Sequence, residues 1–73
     1  MQDIDSVKKH LGSRVRNLRK RHNWSQEEFA HETGIARSFA GAIERGEKDL
    51  RLSTLIKLAD AFKVPIRDLF KNS

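Results

Sequence analysis

Three histidines, His10, His22 and His31, are the side chains best suited to proton transfer or metal binding near neutral pH, yet no two of them stand three or four residues apart as ligands on one helix face would. Cysteine is absent, which removes thiolate chemistry, disulfide staples and cysteine-bound zinc. Ser6 to Lys9 matches S-x-x-K, but a serine nucleophile needs a preorganised pocket that 73 residues cannot enclose. Asn23 to Ser25 matches a glycosylation sequon, which matters only in a secreted chain. No catalytic constellation, metal site or cofactor site is therefore expected. What remains is charge: 15 Lys and Arg against 10 Asp and Glu, a net +5 and a pI near 10.1, which favours a polyanionic partner over an acidic or neutral binding surface.

That charge is uneven. Residues 1 to 24 carry +5, residues 25 to 50 carry −3 and residues 51 to 73 carry +3. Lys8, Lys9, Arg14, Arg16, Lys20 and Arg21 read as a solvated outer face of a first helix, with Arg16, Lys20 and Arg21 nearest to the segment discussed below. The chain is long enough for one small domain, with no room for a second, sensing domain or a small-molecule site. No apolar run approaches the roughly 18 residues of a membrane span, and the start lacks the form of a signal peptide, so a cytoplasmic protein is expected.

The elements that must position these residues are helical throughout. Ile4, Val7, Leu11, Val15 and Leu18 recur every three or four residues, one stripe of a helix from about residue 5 to 22, capped by Asp3 or Asp5. This stripe is needed to cover the helices that follow, which leaves none for a membrane surface. Trp24 plugs the core where that helix ends. Ser25 and Glu28 have the spacing of a capping box, which starts a second helix at Gln26, and Gly34 stops it near Thr33. A third helix spans about 36 to 45, with Ala36, Ala40 and Ile43 inward and Gly46 as its stop. Leu52, Leu55, Leu58, Ala59 and Phe62 mark a fourth, whose cap is Asp49, Arg51 or Ser53. Pro65 opens a fifth, from about 65 to 70. No stretch alternates with period two for long enough to form a strand. The expected class is all-α, a compact five-helix bundle.

Residues 25 to 46, SQEEFAHETGIARSFAGAIERG, place two short helices around a glycine turn. The small Ala30 stands where they cross, and Ile35, Ala40 and Ile43 lock the second against the first. This is a helix-turn-helix pattern. With GSRVRNLRKRHNWSQEEFA, TGI, AIERGE and LIKLADAFKVPIRDLF it resembles the phage-repressor-like family (Cro and CI type, XRE-like) over nearly the whole chain, and within it the stand-alone controller proteins.

The resemblance implies a lambda-repressor-like domain over residues 1–73 whose third helix enters the major groove of double-stranded DNA while the second crosses the backbone. It implies base reading by Arg37 and Ser38, with Gln26 on a phosphate or base edge. An arginine there suits guanine, since its fork can donate to both O6 and N7. Gly41 and Ala42 fall at later outward positions, where Ala42 offers only a methyl to thymine and DNA shape carries more of the reading. Ser25, Arg45, Lys48 and Arg51 are implied as backbone contacts. Phe39 either presses on the DNA from the groove side or closes the edge of the core. Glu44 resembles the family's structural glutamate, paired with Arg19.

Ile66, Leu69 and Phe70 share one face of the last helix. Leu69 is assigned to the core, and Ile66 and Phe70 to a two-fold patch with a second copy, because such small domains read paired half-sites as dimers. The function implied is a homodimeric, sequence-specific transcriptional regulator, governed by its own concentration. An alternative is a protein-interaction module of antitoxin type, suggested by the acidic middle segment. The DNA reading requires Glu27, Glu28, Glu32, Glu44, Glu47 and Asp49 to be turned away from phosphate or neutralised.

Overall fold

Asp3 opens the first helix. Its carboxylate accepts the backbone N–H of Ser6 at 3.3 Å and so satisfies one of the free donors of the first turn. A computed structural model describes residues 2–72, with helices α1 (Ile4–Arg21), α2 (Gln26–Thr33), α3 (Arg37–Glu44) and α4 (Leu52–Phe62). No strand occurs among the described residues, and none of their helices is long and apolar enough to cross a membrane.

The last element departs from the expected fifth α-helix. Ile66–Phe70 form a 3-10 turn, and Pro65 lies just outside it in an extended conformation. Five residues are too few to gain from α-helical propagation, and the tighter turn is enough to drive Leu69 fully into the core. The fold is thus four α-helices closed by one turn of 3-10 helix.

The stops follow from local chemistry. Gly34 and Gly46 adopt φ of +76° and +73°, a region that costs glycine nothing. Lys63 ends α4 in the same left-handed region without being glycine, which no local signal announced. Arg51 occupies the N-cap of α4 and supplies no side-chain capping hydrogen bond, so packing rather than a side-chain cap sets that boundary.

Val15, Phe29, Leu58 and Leu69 are the largest fully buried side chains, one from each of α1, α2, α4 and the 3-10 turn, and Ala40 of α3 is fully buried beside them in the core. Phe29 and Phe62 stack with centroids 5.3 Å apart, and Trp24 lies over Phe62 at 5.8 Å, closing the end of α1 as the sequence indicated. Three expected core positions are instead exposed: Ile4 at 58%, Leu52 at 72%, and Ala36. Ile4 and Leu52 lie in the first turn of a helix and Ala36 at the N-cap of the third, beyond the elements that cover the stripe. Arg14 corrects the basic outer face in the opposite sense. It is buried, and its Nε donates to the carbonyl of Asp68 at 2.7 Å, tying α1 to the 3-10 turn.

Among the glycines the closest approach is at Gly12. A Cβ there would stand 2.5 Å from the carbonyl oxygen of Ile43 and 2.7 Å from that of Glu44, so only a bare backbone lets α1 lie on the end of α3. Both obstacles are main-chain atoms that cannot swing aside. Gly12→Ala gains about 0.5–1 kcal/mol of helix propensity, less than the roughly 1–3 kcal/mol that overpacking costs. A lower urea midpoint at unchanged slope is expected; an unchanged or raised midpoint would show that the two helices separate freely.

Candidate nucleic-acid interface

The capping box is complete: the N–H of Glu28 donates to Ser25 Oγ at 3.0 Å, and the N–H of Ser25 donates to Glu28 Oε1 at 2.7 Å. The backbone bond from Ser25, and after it the bond to its side chain, holds the Glu28 carboxyl below the usual carboxylate range. α2 therefore begins sharply at Gln26, and Ile35 donates its N–H to the carbonyl of Ala30 as the chain turns toward α3. Ala36 precedes α3 with no side-chain cap, so the N–H groups of its first turn have no capping side chain beside the exposed Arg37 and Ser38.

One face of α3 is buried through Ala40 and Ile43, and it takes Ala42 with it. At 6% exposure in the monomer Ala42 lies against the core, so the outward thymine contact read from the sequence is corrected: a helix eight residues long, covered by both α1 and α2, buries more than a narrow stripe. Phe39 is half-buried and packed against the core. Gly41, the other position read as outward, is buried too: it lies beneath side chains, with Arg45 Nη1 and Arg37 Nη1 3.0 and 3.2 Å from where its Cβ would be.

Behind this face stands the ion pair anticipated between Arg19 and Glu44. Arg19 Nε and Nη2 donate to the two carboxylate oxygens of Glu44 at 2.6 and 3.0 Å, and Arg19 Nη1 donates to the carbonyl of Trp24 at 3.0 Å. Gln26 Nε2 adds a bond to Glu44 Oε1 at 3.1 Å. The side chain expected at a phosphate or base edge is thus anchored at its amide nitrogen, leaving its carbonyl oxygen toward Gly41.

Three of the six acidic residues of the middle segment are engaged. Glu44 is buried in its pair, Glu28 serves its cap, and Glu47 accepts from Arg45 Nε and Nη2 at 2.8 and 3.2 Å. Those hydrogen bonds, reinforced by charge, lower the Glu47 carboxyl and raise the Arg45 guanidinium. Glu27, Glu32 and Asp49 remain exposed. Arg37, Lys48 and Arg51 are exposed, and no ion pair among the described residues engages them. The arrangement offers hydrogen-bond donors and positive charge on a rigid helix end. Two histidines tie elements together: His22 stacks on Trp24 and lies 3.2 Å from the Phe62 carbonyl, and His10 reaches the carbonyls of Phe70 and Lys71, while His31 is exposed.

Sequence reasoning missed the pairing of Arg45 with Glu47 and the convergence over Gly41. The signal was present in an arginine four residues before that glycine and another four after it.

Two eight-residue helices locked by a left-handed glycine turn, the second projecting its first turn into solvent, define a helix-turn-helix protein. The helix-turn-helix family model matches residues 15–69, and the chain belongs to that family. Control protein C.SmaI of Serratia marcescens is 40% identical over 94% of this chain and 87% of its own length. The cryptic phage CTXphi transcriptional repressor RstR of Vibrio cholerae is 36% identical over 86% of this chain, which spans 57% of it. The crystal structure of the restriction-modification controller protein C.AhdI from Aeromonas hydrophila superimposes with a TM-score of 0.88, at 36% identity, over 94% of this chain and all of that one. The chain is a transcriptional regulator of the helix-turn-helix class.

Replacing Arg19 by Met leaves a carboxylate that is 4% exposed without its partner, and about 3–5 kcal/mol of destabilisation is expected in chemical denaturation. Removing both charges, as Arg19→Met with Glu44→Leu, should restore most of that loss. Equal instability of the single and double variants would mean that lost packing, not the orphaned charge, carries the cost.

Proposed function

We propose that this chain binds double-stranded DNA sequence-specifically as a homodimer on a two-fold symmetric operator, with α3 in the major groove. The observation that carries the reading is the placement of Arg37 and Ser38. Both are exposed in the first turn of a helix whose far side is locked by Ala40, Ile43 and the Arg19–Glu44 pair. A guanidinium so held can donate two bonds to a guanine edge. Lys48 and Arg51, exposed after α3, are suited to phosphate, as are Arg16, Lys20 and Arg21 on α1. Ser25 retains a hydroxyl that can donate to phosphate while its oxygen serves the cap. The names of C.SmaI, C.AhdI and RstR favour a controller or repressor role.

The dimer is supported by the distribution of apolar surface. Leu69 is fully buried while its neighbours Ile66 and Phe70 stay 38% and 45% exposed, and Ile56 of α4 is exposed as well. A domain this small gains stability from covering such a surface with a second copy.

Selection from a randomised duplex pool is the decisive experiment, and a two-fold symmetric motif is expected. A pool that returns no motif would reject DNA reading in favour of a protein-interaction module. On the selected site Arg37→Ala should lose about 1–3 kcal/mol while random-sequence binding stays nearly unchanged. Equal losses on both would make Arg37 a phosphate contact. Phe70→Glu should shift sedimentation toward the monomer and weaken the full site more than an isolated half-site; an unchanged mass would reject this patch as the interface.

A further inference from the structure

We propose that Arg45 is a second base-reading side chain, donating to the acceptor edge of a guanine, and that Gly41 and Glu47 position it. This rests on the DNA-binding reading above and replaces the backbone role first expected of Arg45. Arg37, Gly41 and Arg45 succeed one another at intervals of four and so share one face at the end of the fold that carries α3. Arg45 turns Nε and Nη2 toward Glu47, which leaves Nη1 free, and that nitrogen lies 3.0 Å from the point a Cβ of Gly41 would occupy. Arg37 Nη1 lies 3.2 Å from the same point and Gln26 Oε1 3.6 Å from it. The orientation of the Gln26 amide is chemically determined: the ionised Glu44 only accepts, so Nε2 must face it and the carbonyl must face the arginines. Two donor groups and one acceptor therefore converge over a residue with no side chain.

Charge separates a base edge from a phosphate as the target. With Glu47 bound side-on, the Arg45 and Glu47 pair sums to no net charge, which weakens its pull on a phosphate anion. The free Nη1 hydrogens keep their full capacity to donate to the neutral O6 and N7 acceptors of guanine. The pair itself is half-exposed, at 59% and 52%, and adds little to folding stability, so its consequence is direction. Glycine within α3 carries a helix-propensity cost, and what it leaves in return is this notch. A Cβ at position 41 would require both guanidinium ends to give by a few tenths of an ångström.

The test compares wild type, Arg45→Ala, Glu47→Gln and Gly41→Ala in selection from the randomised pool, with affinities for the selected site and for a random duplex. Arg45→Ala should bind the selected site roughly 5- to 150-fold more weakly, with random-duplex affinity changed little. It should also erase the preference at one base pair of each half-site, a different one from that lost with Arg37→Ala. Glu47→Gln and Gly41→Ala should relax the same base pair while the helical circular dichroism and unfolding midpoint show an intact fold. Glu47→Gln should in addition raise random-duplex affinity, because a negative charge is gone. Equal weakening on both duplexes by Arg45→Ala, with the motif unchanged and the salt slope reduced by about 1, would make Arg45 a phosphate grip and overturn the inference while leaving DNA reading intact. A wild type that returns no motif overturns both.

Discussion

A carboxylate taken almost wholly out of water at the C-terminal end of a helix faces two penalties at once, the loss of hydration and the negative end of the helix dipole. Glu44 is such a group, and the fold around the interface is organised to satisfy it. The Arg19 fork supplies two bonds and opposite charge, the Gln26 amide a third bond, and the remaining nitrogen of Arg19 holds the carbonyl of Trp24. Three segments that share no backbone hydrogen-bond ladder, the end of α1, the start of α2 and the end of α3, are thereby fixed to one point. The outward face of α3 inherits its rigidity from that point, and a reading helix must be rigid, since a loosely held guanidinium cannot discriminate among base edges by bidentate geometry.

The interface is made as much by missing side chains as by charged ones. Gly12 lets α1 lie directly on the last carbonyls of α3, and Gly41 opens a notch between two arginines. Both glycines are helical, and the strain that usually explains glycine is absent at each, as neither has a positive φ. Their common reason is close approach, of backbone to backbone in one case and of long side chains to a helix surface in the other. The acidic middle segment, at first sight unsuited to a polyanion, follows the same economy of space. Glu28 is engaged by a cap, Glu44 by a buried fork and Glu47 by Arg45, so three of the six acids of that segment are held by partners within the fold.

Helix positions, the capping box, the left-handed stops at Gly34 and Gly46 and the identity of the Arg19–Glu44 pair were legible in the sequence because each depends on residues a few positions apart or on a resemblance that spans the motif. Where the reading missed, long-range packing had decided. Ala42 was placed outward by the resemblance, yet α1 and α2 both lie on α3 and bury it. Arg14 looked like one more surface cation in a basic run, until the 3-10 turn, more than fifty residues on, offered it the carbonyl of Asp68. Ile4 and Leu52 kept their period but lost their cover, since a stripe continues past the point where its neighbours end.

The sequence by itself determined that the chain is all-helical, that two of its helices form a glycine-linked pair, and that its surplus of positive charge suits an anionic partner, because periodicity, capping and net charge are properties of local sequence. Only the tertiary structure decided which cations remain free, which glycines serve close approach, and which apolar residues at the last turn stay exposed. Those outcomes depend on distances between residues remote in sequence, and no local rule contains them.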